Sequence, residues 1–95
     1  MPKGYWIAHV EVENPDAYKK YVEASMAAYV KYGAVCLARG GAHTILEGAG
    51  RSRNVIWEFP SYQAALDCYN SPEYQQARSY RVGHSVGDFT LVEGV

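Results

Sequence analysis

The chain lacks an excess of either charge. Nine Lys and Arg stand against ten Asp and Glu, spread along the length, for a net charge of −1. There is no basic stripe and no acidic tail, so neither nucleic acid nor an anionic membrane surface is an expected partner. No apolar stretch is long enough to span a bilayer, and no signal peptide precedes the first strand-like run, so a soluble cytoplasmic protein is expected. Cysteine is scarce: Cys36 and Cys68 fit no metal or redox spacing and read as buried free thiols. His9, His43 and His84 lack the helix-borne spacing of a zinc site, and no metal is expected. The segment "GAGRSRN" has neither the length nor the Lys of a phosphate-cradling loop, and there is no nucleophile elbow. No cofactor is therefore implied.

What is present fits one small domain over residues 1–95. A chain of this size has enough core to fold but little room for a deep internal site, so a pocket forms more easily between elements or between subunits. Tyrosine is abundant, with nine copies, a residue with an apolar body and a polar tip that suits cores, interfaces and pocket walls alike.

"GYWIAHVEVE" (4–13) reads as a strand. In the run that follows, Asn14 is a helix N-cap, Pro15 stands at the first helical position and Asp16 suits the positive helix end. Tyr18, Val22, Ser25, Met26 and Tyr29 recur at helical spacing, and Gly33 stops the helix. "AVCLAR" and "AHTILEG" make one long strand broken at Gly40 and Gly41. "GAGRS" is a turn and "RNVIWEF" the next strand, which together imply a hairpin. "SYQAALDCYN" and "SPEYQQARSYR" are two short helical runs, the second restarting at Ser71 and Pro72. "GDFTLVEGV" is a last strand. The order β-α-β-β-α-β with one antiparallel four-stranded sheet is the α+β, ferredoxin-like arrangement.

A lone sheet of this kind carries helices on one face, and its other face should be polar. This one is apolar on both. Trp6, Ala8, Val10 and Val12 alternate with Tyr5 and Ile7, and Val55, Trp57 and Phe59 alternate with Ile56. Leaving such a face in water forgoes roughly several kcal/mol at ~25 cal/mol per Å². The chain has no third helix to cover it, so a second copy is expected, with two sheets face to face in a homodimeric barrel. A large apolar ligand or a partner protein is the other possible cover.

The segments "YWIAHVEVENPDAYKKY", "ARGG", "RNVIWEFPS", "AAL" and "YNSPEYQ" resemble the domain-of-unknown-function 1330 family, in the dimeric α/β barrel superfamily. The resemblance runs over nearly the whole chain and implies a ferredoxin-like protomer and a sheet-to-sheet dimer. It implies no particular activity, and shared fold does not settle function. Related barrels include cofactor-free monooxygenases, haem-degrading enzymes and isomerase-like proteins.

The candidate site residues are few. With the turn at 48–52, Glu47 faces Arg53 as a cross-strand ion pair and His43 faces Trp57. A bulge at Gly40 and Gly41 slips the alternation by one, which puts Arg39 on a face with Thr44, Leu46, Ile56 and Glu58. There Arg39 either pairs with Glu58 or a partner-subunit carboxylate, or anchors a small carboxylate ligand. His9, mid-strand, is the candidate base, or else a hydrogen-bonded structural residue. Tyr69 and Tyr74 are placed at the mouth of the cleft between the second helix and the sheet, and Arg78 and Arg81 read as solvated helix charges. The functional expectation is a small-molecule-binding protein, extending to a cofactor-independent, oxygenase- or isomerase-like enzyme for a small organic acid or aromatic. His9 is its catalytic candidate, and Arg39, Gly40, Gly41, Glu58, Tyr69 and Tyr74 are its ligand contacts. The alternative is a non-catalytic homodimer serving assembly.

Overall fold

The computed structural model describes residues 2–95, and in it Asn14 and Ser71 do what their positions predict, and Ser61 caps a helix as well. The Asn14 side chain accepts from Ala17 N–H and starts α1 (Pro15–Lys31); Ser61 and Ser71 do the same for α2 (Tyr62–Asn70) and α3 (Pro72–Arg78). Gly33, at φ +70°, ends α1 in the left-handed conformation that a side chain would strain. The strands are β1 (Gly4–Val12), β2 (Val35–Arg39), β3 (Arg53–Phe59) and β4 (Ser85–Glu93). They form one antiparallel four-stranded sheet in the order β2-β3-β1-β4, the ferredoxin-like arrangement. Among the described residues no helix is long and apolar enough to cross a membrane.

Strand alternation divides the side chains between two layers. Trp6, Ala8 and Val10 of β1 and Val55, Trp57 and Phe59 of β3 point toward the helices and are buried. They meet Tyr18, Tyr21, Ser25, Ala28 and Tyr29 of α1. The buried stripe of α1 is thus rotated from the one its spacing predicts: Tyr21 and Ala28 are inside, Val22 is half-buried and Met26 is 40% exposed. Large rings prefer the inside, because each removes more apolar area from water than Met does. Trp6 sits among Tyr29, Phe59, Tyr69 and Tyr74, and its indole N–H donates to Ala65 O at 3.1 Å.

The second strand differs most from expectation. It ends at Arg39, and residues 41–52 contain no strand. The register explains why. Arg39 already lies opposite Val55, so only Arg53 and Asn54 remain on β3 for anything that follows. The predicted Glu47–Arg53 and His43–Trp57 pairs therefore do not exist; Cys36 is the residue opposite Trp57. The bulge sits at Leu37, where pairing passes from Cys36–Trp57 to Ala38–Ile56, and not at the glycines. Cys36, on this uncovered edge strand, is exposed, contrary to the buried thiol expected, whereas Cys68 is buried. The 40–52 connection is tied down at its ends: Gly40 N–H donates to Asn54 O, and Ser52 N–H and Oγ donate to Glu11 at 2.6 and 2.8 Å.

Candidate functional site

Ala8 has the smallest side chain in the helix-facing run Trp6, Ala8, Val10, and the space above it is not filled. A hollow opens there between α1 and the sheet, floored by Ala8 and Val55 and walled by Tyr18, Tyr21, Tyr29 and Trp57. Its free volume is about 30 Å³, room for about two water molecules. Met26, Arg39 and Arg53 border it, and Arg39 and Met26 are exposed at its outer edge.

The Leu37 bulge brings Arg39 to this hollow. In unbroken pairing after Cys36–Trp57, Arg39 would fall opposite Asn54 and face away from the helices. The extra residue sets it opposite Val55, on the helix side. Arg39 is thus re-aimed by a bulge, but to the opposite face from Ile56 and Glu58, and the expected Arg39–Glu58 pair is ruled out. Arg53 joins it by simple alternation with Val55, Trp57 and Phe59, a signal present in the sequence. Its guanidinium lies 5.3 Å from the Tyr18 ring centroid, a cation–π contact. Its Nε is buried with no hydrogen-bond partner among the described residues. Gly40 has φ +67°, a left-handed conformation that a side chain would strain; a Cβ there would also stand 2.7 Å from Arg53 Nη1, the mobile end of that side chain. No heavy atom lies within 4 Å of where a Gly41 Cβ would be. Neither arginine has a carboxylate partner: the ion pairs among the described residues are Lys31–Glu73 and Arg51–Asp88.

Tyrosine hydroxyls supply the remaining polarity. Tyr21 and Tyr74 hydroxyls are 2.8 Å apart in the buried core, and Arg81 Nη2 donates to Tyr74 at 3.4 Å. Burial pushes the hydroxyls of Tyr21, Tyr29 and Tyr74 well above the ordinary tyrosine range, so they stay protonated. Arg81 is not the solvated charge its position after α3 suggests. It stacks 5.1 Å from Tyr21 and 4.3 Å from Phe89. Among the described residues, no Asp, Glu, His or Cys lines the hollow.

The other expected site residues are elsewhere. His9 lies opposite Asn54 and Asp88 on the helix-free face, so the sheet separates it from Arg39. Its Nδ1 is 2.6 Å from Asn54 Oδ1. Asn54 Nδ2 donates to Arg51 O, which orients the amide so that Oδ1 accepts from His9. An open, polar depression of about 510 Å³ lies beside His9, bordered by Glu47, Arg51 and Asp88. Glu58 is also on that face and accepts from the Tyr5 hydroxyl at 3.0 Å. Tyr69 borders an apolar gap of about 160 Å³ between α2 and β4, with Leu66, Leu91 and Trp6. Tyr74 lines no opening; it is fully buried.

The family described as "Domain of unknown function (DUF1330)" matches residues 3–95. No curated protein matches the sequence. Among solved structures, the RPA0582 protein of unknown function from Rhodopseudomonas palustris is 19% identical, with TM-score 0.76 over 99% of this chain and 83% of that one. SnoaB, a cofactor-independent oxygenase from Streptomyces nogalater, is 9% identical, with TM-score 0.69 over 97% and 92%. A dimeric protein of unknown function and ferredoxin-like fold from Bacteroides fragilis is 13% identical, with TM-score 0.63 over 96% and 95%. These likenesses show the fold.

Proposed function

We propose that this chain, which belongs to the DUF1330 family, works as a homodimer that binds a small organic anion with an aromatic or apolar body, in the hollow between α1 and the sheet. The observation that carries this is the meeting of two arginines, unpaired with any carboxylate among the described residues, at an aromatic-walled hollow. The Arg53 Nε is buried without an acceptor among the described residues, and a carboxylate would satisfy it and the exposed Arg39 with charge-assisted, bidentate hydrogen bonds. Aromatic walls suit a flat apolar body. The hollow as it stands has room for about two water molecules, so an organic anion enters only when the exposed rim side chain Met26 swings outward and Arg39 closes on its charged end. Met, unbranched with three rotatable bonds, does this at small cost.

Among the described residues, no carboxylate or imidazole lines this hollow to serve as a base. His9, the expected base, belongs to the other face and has no part in this reading. What the residues supply is hydrogen-bond donors and positive charge, which hold a substrate already ionised. A cofactor-independent oxygenase-like reaction on such an anion is consistent with that chemistry, and SnoaB, of like fold, is a cofactor-independent oxygenase; the support is by analogy of fold.

The reading is tested with benzoate as probe. Millimolar benzoate should raise the Tm of the wild-type protein, and Arg53→Met and Arg39→Met should each weaken binding about tenfold or more, the loss expected for a hydrogen bond to a charged group. If benzoate leaves Tm and calorimetric heat unchanged, the second reading stands, that of a non-catalytic homodimer. The small volume of the hollow favours that second reading.

A further inference from the structure

The apolar gap between α2 and β4 shares only Phe89 with the hollow under α1, and it is far roomier, at about 160 Å³. Strand pairing shows what each residue of β4 gives it. Phe89 lies opposite Ala8 and Leu91 opposite Trp6, so both side chains point to the helix side. Thr90, opposite Ile7, points the other way and borders the gap with its backbone. Trp6, Leu66 and Tyr69 complete the lining. The one polar atom of the Trp6 ring is already spent, since its N–H donates to Ala65 O and ties β1 to α2. Among the described residues no charged side chain lines the gap. Leu66, Tyr69, Phe89 and Leu91 are each half-buried, so the gap is open to solvent. It stays unfilled because Phe89 leans out of it. On the helix side of β4, Gly87 and Leu91 flank Phe89. A Cβ on Gly87 would stand 3.2 Å from Phe89 Cε1, so the ring lies toward the glycine and away from Leu91. The Arg81 guanidinium, 4.3 Å from the ring centroid, holds it there.

We propose that this gap is a second binding site, for an uncharged apolar molecule the size of one aromatic ring. Size, charge and wall chemistry each narrow the occupant. An apolar cavity of roughly 150 Å³ takes up benzene and otherwise stays dry, and this gap has that volume. Ordered water gains little here, because it needs roughly 2–4 polar partners and the walls are mostly hydrocarbon and ring carbon. An ion gains less still, because no side chain of opposite charge lines the gap and an unpaired charge is costly to bury. Three rings, Trp6, Tyr69 and Phe89, favour a further ring packed edge-on or offset against them. Trp6 and Tyr69 already meet edge to face, with centroids 6.0 Å apart. A second copy on the helix-free face leaves the gap accessible, because the gap lies on the helix side of the sheet. The site stands apart from the anion site: its ligand is neutral, and neither Arg39 nor Arg53 takes part.

The probe is toluene, compared with benzoate at the same millimolar concentration. In the wild-type protein, toluene should shift the methyl resonances of Leu66 and Leu91 and raise Tm, and benzoate should leave those methyls in place. Leu66→Trp fills the gap from a half-buried helix position and should weaken toluene binding about tenfold or more. Leu91→Phe repeats the test from β4 if Leu66→Trp fails to fold by near-UV circular dichroism. Unmoved Leu66 and Leu91 methyls in wild-type protein with toluene would overturn the site. Equal toluene binding in a folded, filled variant would place the molecule elsewhere and overturn it as well. Benzoate shifts at these methyls as large as those of toluene would overturn the preference for an uncharged ligand.

Discussion

Glu11 shows how much a single exposed side chain can organise. Both its oxygens accept from Ser52, and these hydrogen bonds, the side-chain one first, hold its carboxyl below the ordinary carboxylate range despite slight opposition from burial. A depressed folded-state pKa contributes stability that is present above the unfolded value of 4.5 and is lost as pH falls through the lower, folded value. The end of the 40–52 connection should therefore loosen from β1 as pH drops below that ordinary value. Hydrogen exchange at the Ser52 amide, compared with the wild-type protein in Glu11→Gln, measures this: the wild type should lose protection in acid, and the variant should show a flatter dependence. Equal protection at pH 7 and pH 3 in the wild type would contradict it. Arg81 makes the complementary point. Its neighbours in sequence suggest solvent, but its stacking partners Tyr21 and Phe89 come from α1 and β4, and no local pattern announces them.

Among the elements, β2 determines what the site can be. One bulged residue at Leu37 decides which face Arg39 occupies, because strand side chains alternate with period two and a one-residue slip reverses them all. Deleting Leu37 should remove the bulge and leave Ala38 opposite Ile56 and Arg39 opposite Val55, because the extra residue is the one taken out. Arg39 should then keep the helix side and its part in benzoate binding, with the fold retained by circular dichroism. A loss of about tenfold in a folded deletion variant, as for Arg39→Met, would mean that the register of β2 does not set where Arg39 points. The bulge was legible in kind, as Arg39 next to glycines suggests a strand irregularity. Its position was not, because Gly40, at φ +67°, serves the turn that follows the strand instead.

At the scale of the molecule, the helix-free face is apolar through Tyr5, Ile7 and Ile56, with Val35, Val86 and Val92 at 53%, 47% and 43% exposure. The accessible surface is 5903 Å², against roughly 5,500 Å² for a globular monomer of this mass, and Leu46 in the 40–52 connection is 88% exposed. A second copy on this face is the simplest cover, and a stable dimer needs roughly 800 Å² per protomer. Ile56→Glu should weaken dimerisation about a hundredfold or more, since it buries an unpaired carboxylate at the centre of the contact. Sedimentation at micromolar concentration should then show a dimer for the wild-type protein and a monomer for the variant. A monomeric wild type would leave the face for another partner.

The order of elements, their caps, the two apolar faces of β1 and β3, and the helix-facing side of Arg53 follow from the sequence alone, because capping and alternation are local rules that act within a few residues. Sequence patterns also single out Arg39 and the tyrosines as unusual. Tertiary structure decided which of them meet. It put His9 and Arg39 on opposite sides of the sheet, joined Arg39 to Arg53 through a bulge no composition marks, and turned Tyr21, Tyr74 and Arg81 into one chain across three segments. The physical reason is that register and ring packing are settled by contacts between distant residues, each worth little until the others are in place.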